Sequence, residues 1–463
     1  MEMNVDMNED MFSLLPVEII TKIASFLPFK EAAKSSILSK RWLKIWKSRR
    51  DIEFNEFFFV KSDVSDEIKE AHRRIFLNFI THSIQNYEEK VVNKFSLKVS
   101  NPQSCADTVQ DCIAFATKHL VKELRLDFSD PTWEENDFDD HDALFQLPCH
   151  VYMHKTLEAL ELNACSFVVH DLVNFRALKD VSLGWIEVKN STIRTLLSIC
   201  RNLESLSLNK CWNLAHFDMG GHELGLRRLV IDNCHFVDYD YVYFRAPNLK
   251  FLKYSGTLEI FQIEVGFSMQ EAELDFTPMP DFEEYGDILC QLLCDLNCVY
   301  VLTVCSFLLQ AIPTGEEPVR IQCNMNVRHL IIKTKMHNQE LRGFMFMLNS
   351  CACLKKLTIE IGQGKIYEDY PYSIDSKKFW GQQCIIFECL RRNLKVVELK
   401  GFRGTTNEMG ACRYLIQAGR VLEQIIINVV KKEGDEFLEK RYANATSLLN
   451  VRKASKNLRI SIV

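Results

Sequence analysis

Between residues 14 and 46 the chain reads LLPVEIITKIASFLPFKEAAKSSILSKRWLKIW. Ile20, Ile23, Ala24 and Leu27 recur at i, i+3, i+4 and i+7, a spacing that predicts one short amphipathic helix. Pro16 fits its first helical position, and Ser13, a few residues upstream, is a possible cap. Pro28 stops this helix, a second can run from about Lys30 to Ser36, and Ile37, Leu38, Leu43, Ile45 and Trp46 supply an apolar third. Three short helices over about 40 residues sit at the size where a single core is marginal, so such a unit wants a partner surface.

After this run the period changes. Three segments match most of L-x-x-L-x-L-x-x-N/C-x-L, the pattern of a leucine-rich repeat with one short strand per unit. They are Leu157, Leu160, Leu162 with Cys165 and Phe167; Leu203, Leu206, Leu208 with Cys211; and Leu226, Leu229, Ile231 with Cys234 and Phe236. Weaker triplets start at Val92, Val121, Leu178, Leu249, Val299, Val327, Leu354, Leu394 and Leu422, with a poorer one at Met269. Many starts are separated by about 20 to 30 residues, the spacing of this repeat class. The longer gaps from Val121 to Leu157 and from Leu354 to Leu394 leave room for inserted loops. The competing reading is an ordinary α/β domain of alternating strands and helices.

The predicted fold class is therefore α/β: an N-terminal three-helix unit followed by a leucine-rich-repeat solenoid with a curved parallel sheet. One unit cannot bury its apolar face, so units stack and their strands line a concave surface. About a dozen strands ~4.8 Å apart give an arc on the order of 60 Å, wide enough for a folded protein. Glu158, Glu161, Glu204, Ser207, Arg228 and Lys250, which flank the strand leucines, are candidates for contact there and equally for plain solvated residues.

The N-terminal run resembles an F-box. Leu15-Pro16, the triplet Glu18-Ile19-Ile20, Leu27-Pro28 and Ser39-Lys40-Arg41-Trp42 stand in the order of that motif, and Trp46 followed by a short apolar strand from Ile52 to Phe59 matches its plant subgroup. The resemblance implies docking to a Skp1-type adaptor and through it to a cullin, with Leu15, Pro16, Glu18, Ile19, Ile20, Leu27 and Trp42 as the adaptor-binding residues. The same run also reads as a three-helix cap on a larger domain, with Trp42 and Trp46 as core residues. Near the other end, Leu394, Val397, Leu399, Gly401, Phe402, Gly404, Glu408, Tyr414, Leu415 and Leu422-Glu423 resemble the FBD region that ends many plant F-box and leucine-rich-repeat proteins. Gly401 and Gly404 bracket a tight turn there, and a helix is expected from about Asn407 to Ala418. The domain reading is a flexible tail over 1–12, the F-box over 13–55, the solenoid over 56–345, and an FBD-like region over 346–463 that continues it.

Composition narrows the partners. A formal charge of −6 over 463 residues gives no global reason to bind nucleic acid. The basic cluster from Lys40 to Arg50 falls on and after the third helix, where cations favour the dipole. The acidic N-terminus lacks the features of a signal peptide, and no apolar run reaches the ~20 residues that span a bilayer, so an intracellular protein of nucleus or cytoplasm is expected, with no membrane partner. Seventeen scattered cysteines suit reduced thiols, and those of the three best repeats are expected to pack in the turn after each strand. The sequons at Asn190 and Asn444 would matter only in a secreted chain.

Catalytic chemistry is thin, and neither a cofactor nor a metal is expected. Cys290, Cys294 and Cys298 would align on one helix face but lack the pairs of a zinc site. Gly362-Gln363-Gly364-Lys365 is not a P-loop, and no nucleophile elbow occurs. Two acidic inserts, 127–142 and 277–287, read as solvated loops in which Trp133 and Tyr285 are potential contacts. The function that follows is a non-catalytic substrate-recognition subunit of a Skp1-cullin-F-box ubiquitin ligase that binds a target protein through its solenoid. The alternatives are a small-molecule-dependent co-receptor of the same architecture, for which the mildly acidic repeats offer no clear basic floor, and a thiol enzyme, which needs a His beside a low-pKa Cys.

Overall fold

A computed structural model describes residues 15–463 except 28, 62, 131, 134–143, 168–174, 215–217, 220–224, 238–240, 279–281, 313–320, 322, 363, 368–372 and 432–435. Ser13 and Pro28, and most of the first acidic insert, lie outside the described residues. The chain falls into two compact units: Met1–Val188 with Thr195–Leu203, and Lys189–Arg194 with Glu204–Val463.

The first unit opens with the helices α1 (Val17–Phe26), α2 (Phe29–Ser35) and α3 (Lys40–Lys47). A parallel ladder follows, β1 (Asp51–Asn55), β2 (Lys94–Lys98), β3 (Glu123–Asp127), β4 (Ala159–Asn163) and β5 (Asp180–Gly184), paired in chain order. Two helices, α4 (Asp66–Gln85) and α5 (Ala106–Lys118), return the chain between the early strands. In the chain, α6 (Asn190–Ile199) comes next.

The second unit repeats the scheme. Its ladder runs β6 (Ser205–Asn209), β8 (Arg228–Asp232), β10 (Phe251–Gly256), β12 (Glu271–Phe276), β13 (Val301–Val304), β14 (His329–Thr334), β15 (Lys356–Ile361), β16 (Val396–Phe402), β17 (Gln424–Val429) and β18 (Arg459–Ile462), each parallel to the next. The intervening β7 (Asp218–Met219), β9 (Tyr241–Ala246) and β11 (Ile260–Val265) form a second, three-stranded sheet. The helices are α7 (Phe282–Asp295), α8 (Ser306–Ala311), α9 (Leu341–Ser350), α10 (Ser376–Gly381), α11 (Glu388–Arg392), α12 (Thr406–Ala418) and α13 (Leu438–Ser447).

The triplets explain the ladder. Each strand carries the second and third triplet residues inward, because side chains alternate along a strand, and the first residue is buried in the turn before it. In register, Leu206, Leu229, Leu252, Ala272, Leu302, Leu330, Leu357, Val397, Ile425 and Ile460 form one continuous row through the second unit. Every triplet read from the sequence sits on such a strand. β18 extends the ladder by one strand that the pattern had not suggested.

The turn after the strand has its own signature. Ala164, Lys210 and Asn233 adopt positive φ of 55°, 51° and 48°. This left-handed residue reverses the chain and brings the next side chain inward. The residues brought in are Cys165, Cys211 and Cys234, all buried, as the repeat register requires. Cys234 Sγ donates to Leu208 O at 3.4 Å, while burial pushes the Cys165 thiol well up from its ordinary pKa.

Several expectations are corrected. The apolar strand expected from Ile52 to Phe59 stops at Asn55, whose side chain accepts from Phe57 N at 3.0 Å and starts a 3-10 turn over Glu56–Phe58. The second acidic insert is not all loop: Phe282 to Asp287 form the first turns of α7, drawn into helix by the stripe Leu289, Leu292, Leu293 and Leu296, all buried. That helix ends at Asp295, so Cys298 lies beyond it and does not continue the face of Cys290 and Cys294. The gap before Leu394 holds α10 and α11, not plain loop.

The expected Gly turn and helix near the C-terminus are present. Gly401 has φ 83° beside a bulge in the β16–β17 pairing, and a Cβ there would meet Ile361 O at 2.4 Å. The buried Glu408 accepts from Arg403 N and Gly404 N, both at 2.7 Å, and closes a capping box with Thr405 at the start of α12.

Cys149, Cys353 and Cys384 are exposed and provide an internal control for the repeat cysteines. Iodoacetamide on the native protein should label these three first, and Cys165, Cys211 and Cys234 only after denaturation, because buried apolar thiols are inert. Peptide mass spectrometry reads the order; equal native rates at both sets would refute the register.

Candidate adaptor and target interfaces

The N-terminal helices form a small core from Ile20 and Ala24 of α1 with Trp42 and Ile45 of α3, against which Leu15 and Ile23 pack partly buried. Local sequence explains where each of them begins. Pro16 is the N-cap of α1, with extended backbone at φ −56°, ψ 148°, and Glu18 lies in the first turn, where a carboxylate suits the dipole. Ser39 caps α3 by accepting from Trp42 N at 3.4 Å, which gives a physical reason for a Ser three residues before the Trp.

The seven motif residues separate by direction. Ile20 and Trp42 face inward, at 0% and 7% exposure, while Leu15 and Leu27 are half-buried. Pro16, Glu18 and Ile19 are exposed. Sequence reasoning missed part of the surface that accompanies them. Phe26, Ile37 and Leu38 are exposed by 77%, 85% and 71%, and Val17 and Leu43 are also open. Ile37 and Leu38, read as part of the third helix, precede it in a turn. A signal was present in α1, which is apolar on both faces. A helix that buries one stripe and exposes another needs a second partner.

The outward strand residues form the other candidate surface. In the first unit, Lys98 pairs with Asp127 and Arg125 with Glu161 at 3.2 Å, both across neighbouring strands. Glu158 is held between Lys122 and Lys179, whose ammonium groups lower its carboxyl pKa. In the second unit, Lys253 meets Asp232 at 2.8 Å, Lys333 meets Glu273 at 2.6 Å, Lys356 meets Glu398 at 3.1 Å, and Lys400 meets Glu360 at 2.9 Å. Asp275 lies among these charges, and burial raises its pKa. His329 Nε2 is 2.9 Å from Thr358 Oγ1, and burial lowers its pKa.

Of the flanking residues read as potential contacts, Glu158, Glu161 and Glu204 are in ion pairs, and Arg228 stacks over Phe251 at 3.9 Å. In each unit the outward strand residues are thus laced by alternating charge, with no single-sign stripe among the described residues of the kind that gathers nucleic acid. Trp133 lies against Trp185 with centroids 5.4 Å apart, and Tyr285 against Phe307 at 6.4 Å. No helix among the described residues is long and apolar enough to cross a membrane.

Comparison with known proteins matches both regions. An F-box domain model covers residues 12–53, and the model described as the At1g61320/AtMIF1 LRR domain covers residues 84–461. The putative F-box/LRR-repeat protein At5g54820 of Arabidopsis thaliana is 32% identical over 444 residues, spanning 91% of each chain. From the same plant, the putative F-box/LRR-repeat protein At1g56400 is 31% identical over 424 residues, 89% of this chain and 87% of its own. The putative FBD-associated F-box protein At5g56440 is 26% identical over 441 residues, 92% of this chain and 94% of its own, a more distant likeness for the FBD resemblance.

Direction of burial predicts two classes of mutant. Ile20→Ala should cost about 2–5 kcal/mol, the range for truncating a buried aliphatic side chain. Ile19→Ala should stay within about 0.5 kcal/mol. Hydrogen exchange of the α1 and α3 amides in the full chain measures both; equal effects would contradict the inward and outward assignment.

Proposed function

The chain belongs to the F-box/LRR-repeat proteins, a family of substrate adaptors of ubiquitin ligases, and from that premise we propose that it docks a Skp1-type adaptor through α1–α3 and recruits a target protein through its repeat ladder. The observation that carries the reading is the exposed apolar set on a helical unit too small to leave it unpartnered: Val17, Ile19, Phe26, Ile37, Leu38 and Leu43. Pro16, Glu18 and Ile19 contact the adaptor directly, with Leu15 and Leu27 at the margin. Ile20 and Trp42 act from beneath, holding α1 against α3.

In this reading the chain contributes proximity and no chemistry. Holding target lysines near a charged conjugating enzyme raises their effective concentration without a catalytic group on this chain. Four of the thiols are unsuited to a nucleophile's role: burial pushes Cys290 and Cys305 up to about 11, and Cys200 and Cys389 up to about 12, opposite to the depressed pKa that role needs. The protein works in nucleus or cytoplasm, where the other ligase subunits act. Its functional divisions are a tail over 1–12, the adaptor module over 13–55, target-binding repeats over 56–345 and the FBD-like extension over 346–463, with β1 serving both the adaptor module and the ladder.

The experiment is an adaptor-binding titration with the full chain. Ile19→Asp combined with Leu38→Asp places two charges on the apolar surface and should weaken adaptor binding at least 100-fold, a loss of about 2.7 kcal/mol or more. Hydrogen exchange of α1–α3 should be unchanged, since neither residue is in the core. Binding at wild-type strength would sink the docking surface.

A further inference from the structure

A cavity of about 210 Å³ lies within the first unit, between α2 and α3, strand β1, and the last turns of α4 with the turn that follows. It is smaller than the roughly 300–1,000 Å³ of pockets for drug-sized ligands, which limits an occupant to one or two rings. Its lining is rich in aromatic rings, among them Phe29, Trp46, Phe79 and Tyr87. These rings hold one another in place: Phe29 and Trp46 have centroids 4.2 Å apart, and Trp46 stacks on Phe79 at 6.4 Å. The walls are therefore preformed.

The polar groups in the lining are unequal. Lys47 is neutralised by Glu88 at 2.6 Å, and His82 Nδ1 is 3.3 Å from Asn86 Nδ2. Arg49 differs. Its guanidinium carries five donors, of which one reaches Leu27 O at 3.4 Å, and no carboxylate lies within 4.0 Å of it among the described residues. The group lies 5.6 Å from the centre of the Phe29 ring. Burial lowers its pKa against the opposing pull of Asp51 and Glu53, so desolvation outweighs the nearest acids. The Arg49 backbone is fixed as well, since Tyr87 Oη donates to its carbonyl at 2.8 Å. A half-buried cation without an ion-pair partner, beside preformed aromatic walls, is complementary to an anion attached to a flat apolar body.

We propose that this cavity is a binding site for a small aromatic carboxylate, its ring against Phe29 and Trp46 and its carboxylate on Arg49. The site is separate from the exposed apolar surface of α1 and shares Leu43 of α3 with the proposed adaptor-docking set. Because α2, α3, β1 and α4 all line it, the ligand braces the helical unit against the first repeat.

The test uses the full chain with 2-naphthoate as the probe and isothermal titration as the readout, with melting temperature as a second measure. Saturable binding at micromolar concentration and a rise in melting temperature are expected. The neutral analogue 2-naphthalenemethanol should bind at least 10-fold more weakly. Arg49→Gln should lose at least 10-fold for the acid and leave the neutral analogue unchanged, while Arg49→Lys, which keeps the charge but not the fork, should fall between. Ala33→Trp fills the cavity and should abolish binding of both probes. A variant whose melting temperature without ligand matches wild type is read directly, and Arg49→Lys serves if Arg49→Gln fails this criterion. Absence of saturable binding, equal affinity for the acid and the neutral analogue, or unchanged binding by Ala33→Trp would each overturn the proposal. If 2-naphthoate does not bind while Ala33→Trp abolishes adaptor binding, the cavity takes a protein side chain and the proposal also fails.

Discussion

The constraint on which the structure depends is that no single repeat can bury its own apolar face. Each strand places two side chains inward and two or three outward, and the inward pair is shielded only by the strands on either side. The inward row in the second unit is accordingly unbroken through ten strands, with Ala272 the one small residue in it. Parallel pairing in a constant register keeps the row aligned. A slip of one residue in any strand would turn its leucines outward, so the register is fixed by burial and not by local strand preference. The turn residues serve the same end: a left-handed Ala164 or Lys210 is an unfavourable local choice, and Asn233 a tolerated one, each directing the following Cys into the core.

The same constraint applies at the start of the ladder, where β1 has a strand neighbour on one side alone among the described residues. The helical unit meets that need. Phe29 of α2 packs on Phe54 of β1 with centroids 5.3 Å apart, and Phe54 packs in turn on Phe95 of β2 at 6.0 Å. Phe79 of α4 closes the cluster against Phe54 at 5.9 Å. A three-helix core with a handful of buried residues is marginal by itself, and the aromatic cluster makes it continuous with a larger one. The three helices are thereby held in a defined orientation to the first repeat. Proximity-based recruitment depends on such an orientation, because effective concentration falls when two sites cannot be engaged together.

Legibility followed the range of the interactions. The triplets at Val92 through Leu422 were readable because a fixed spacing within one segment decides burial, and so was the α12 turn, where Gly401, Gly404 and Glu408 act within a few residues of one another. The strands β7, β9 and β11 were not recognised, although Tyr241–Ala246 and Ile260–Val265 alternate with period two, because the triplet template assigns one strand to each repeat. The beginning of α7 was missed because its acidic residues resemble a loop, while the leucines that recruit them lie a full turn later. In the F-box segment the motif names residues but not the direction of each side chain. Ile19 and Ile20 are adjacent and chemically alike, yet only the packing of α1 on α3 places one outside and the other inside. The ion pairs of the repeat face and the cavity beside Arg49 join residues from separate elements, and no local pattern encodes them.

The two proposed interfaces then differ in kind. The apolar surface of α1 and the turn before α3 gains by leaving water, which suits a lasting subunit contact. The repeat face offers charges already paired with one another. A partner that engages Lys333 or Lys356 must compete with Glu273 or Glu398, so the net gain per contact is a difference between two similar interactions, and such exposed or half-exposed pairs are worth about 0–1 kcal/mol each. Affinity on that face must come from many contacts placed in register, and selectivity from the match of a whole pattern of alternating sign. A wrong partner gains little and meets like charges. Capture by a difference of this kind is reversible, which suits the proposed recruitment of successive targets, whereas the proposed apolar docking surface suits a partner kept through successive rounds.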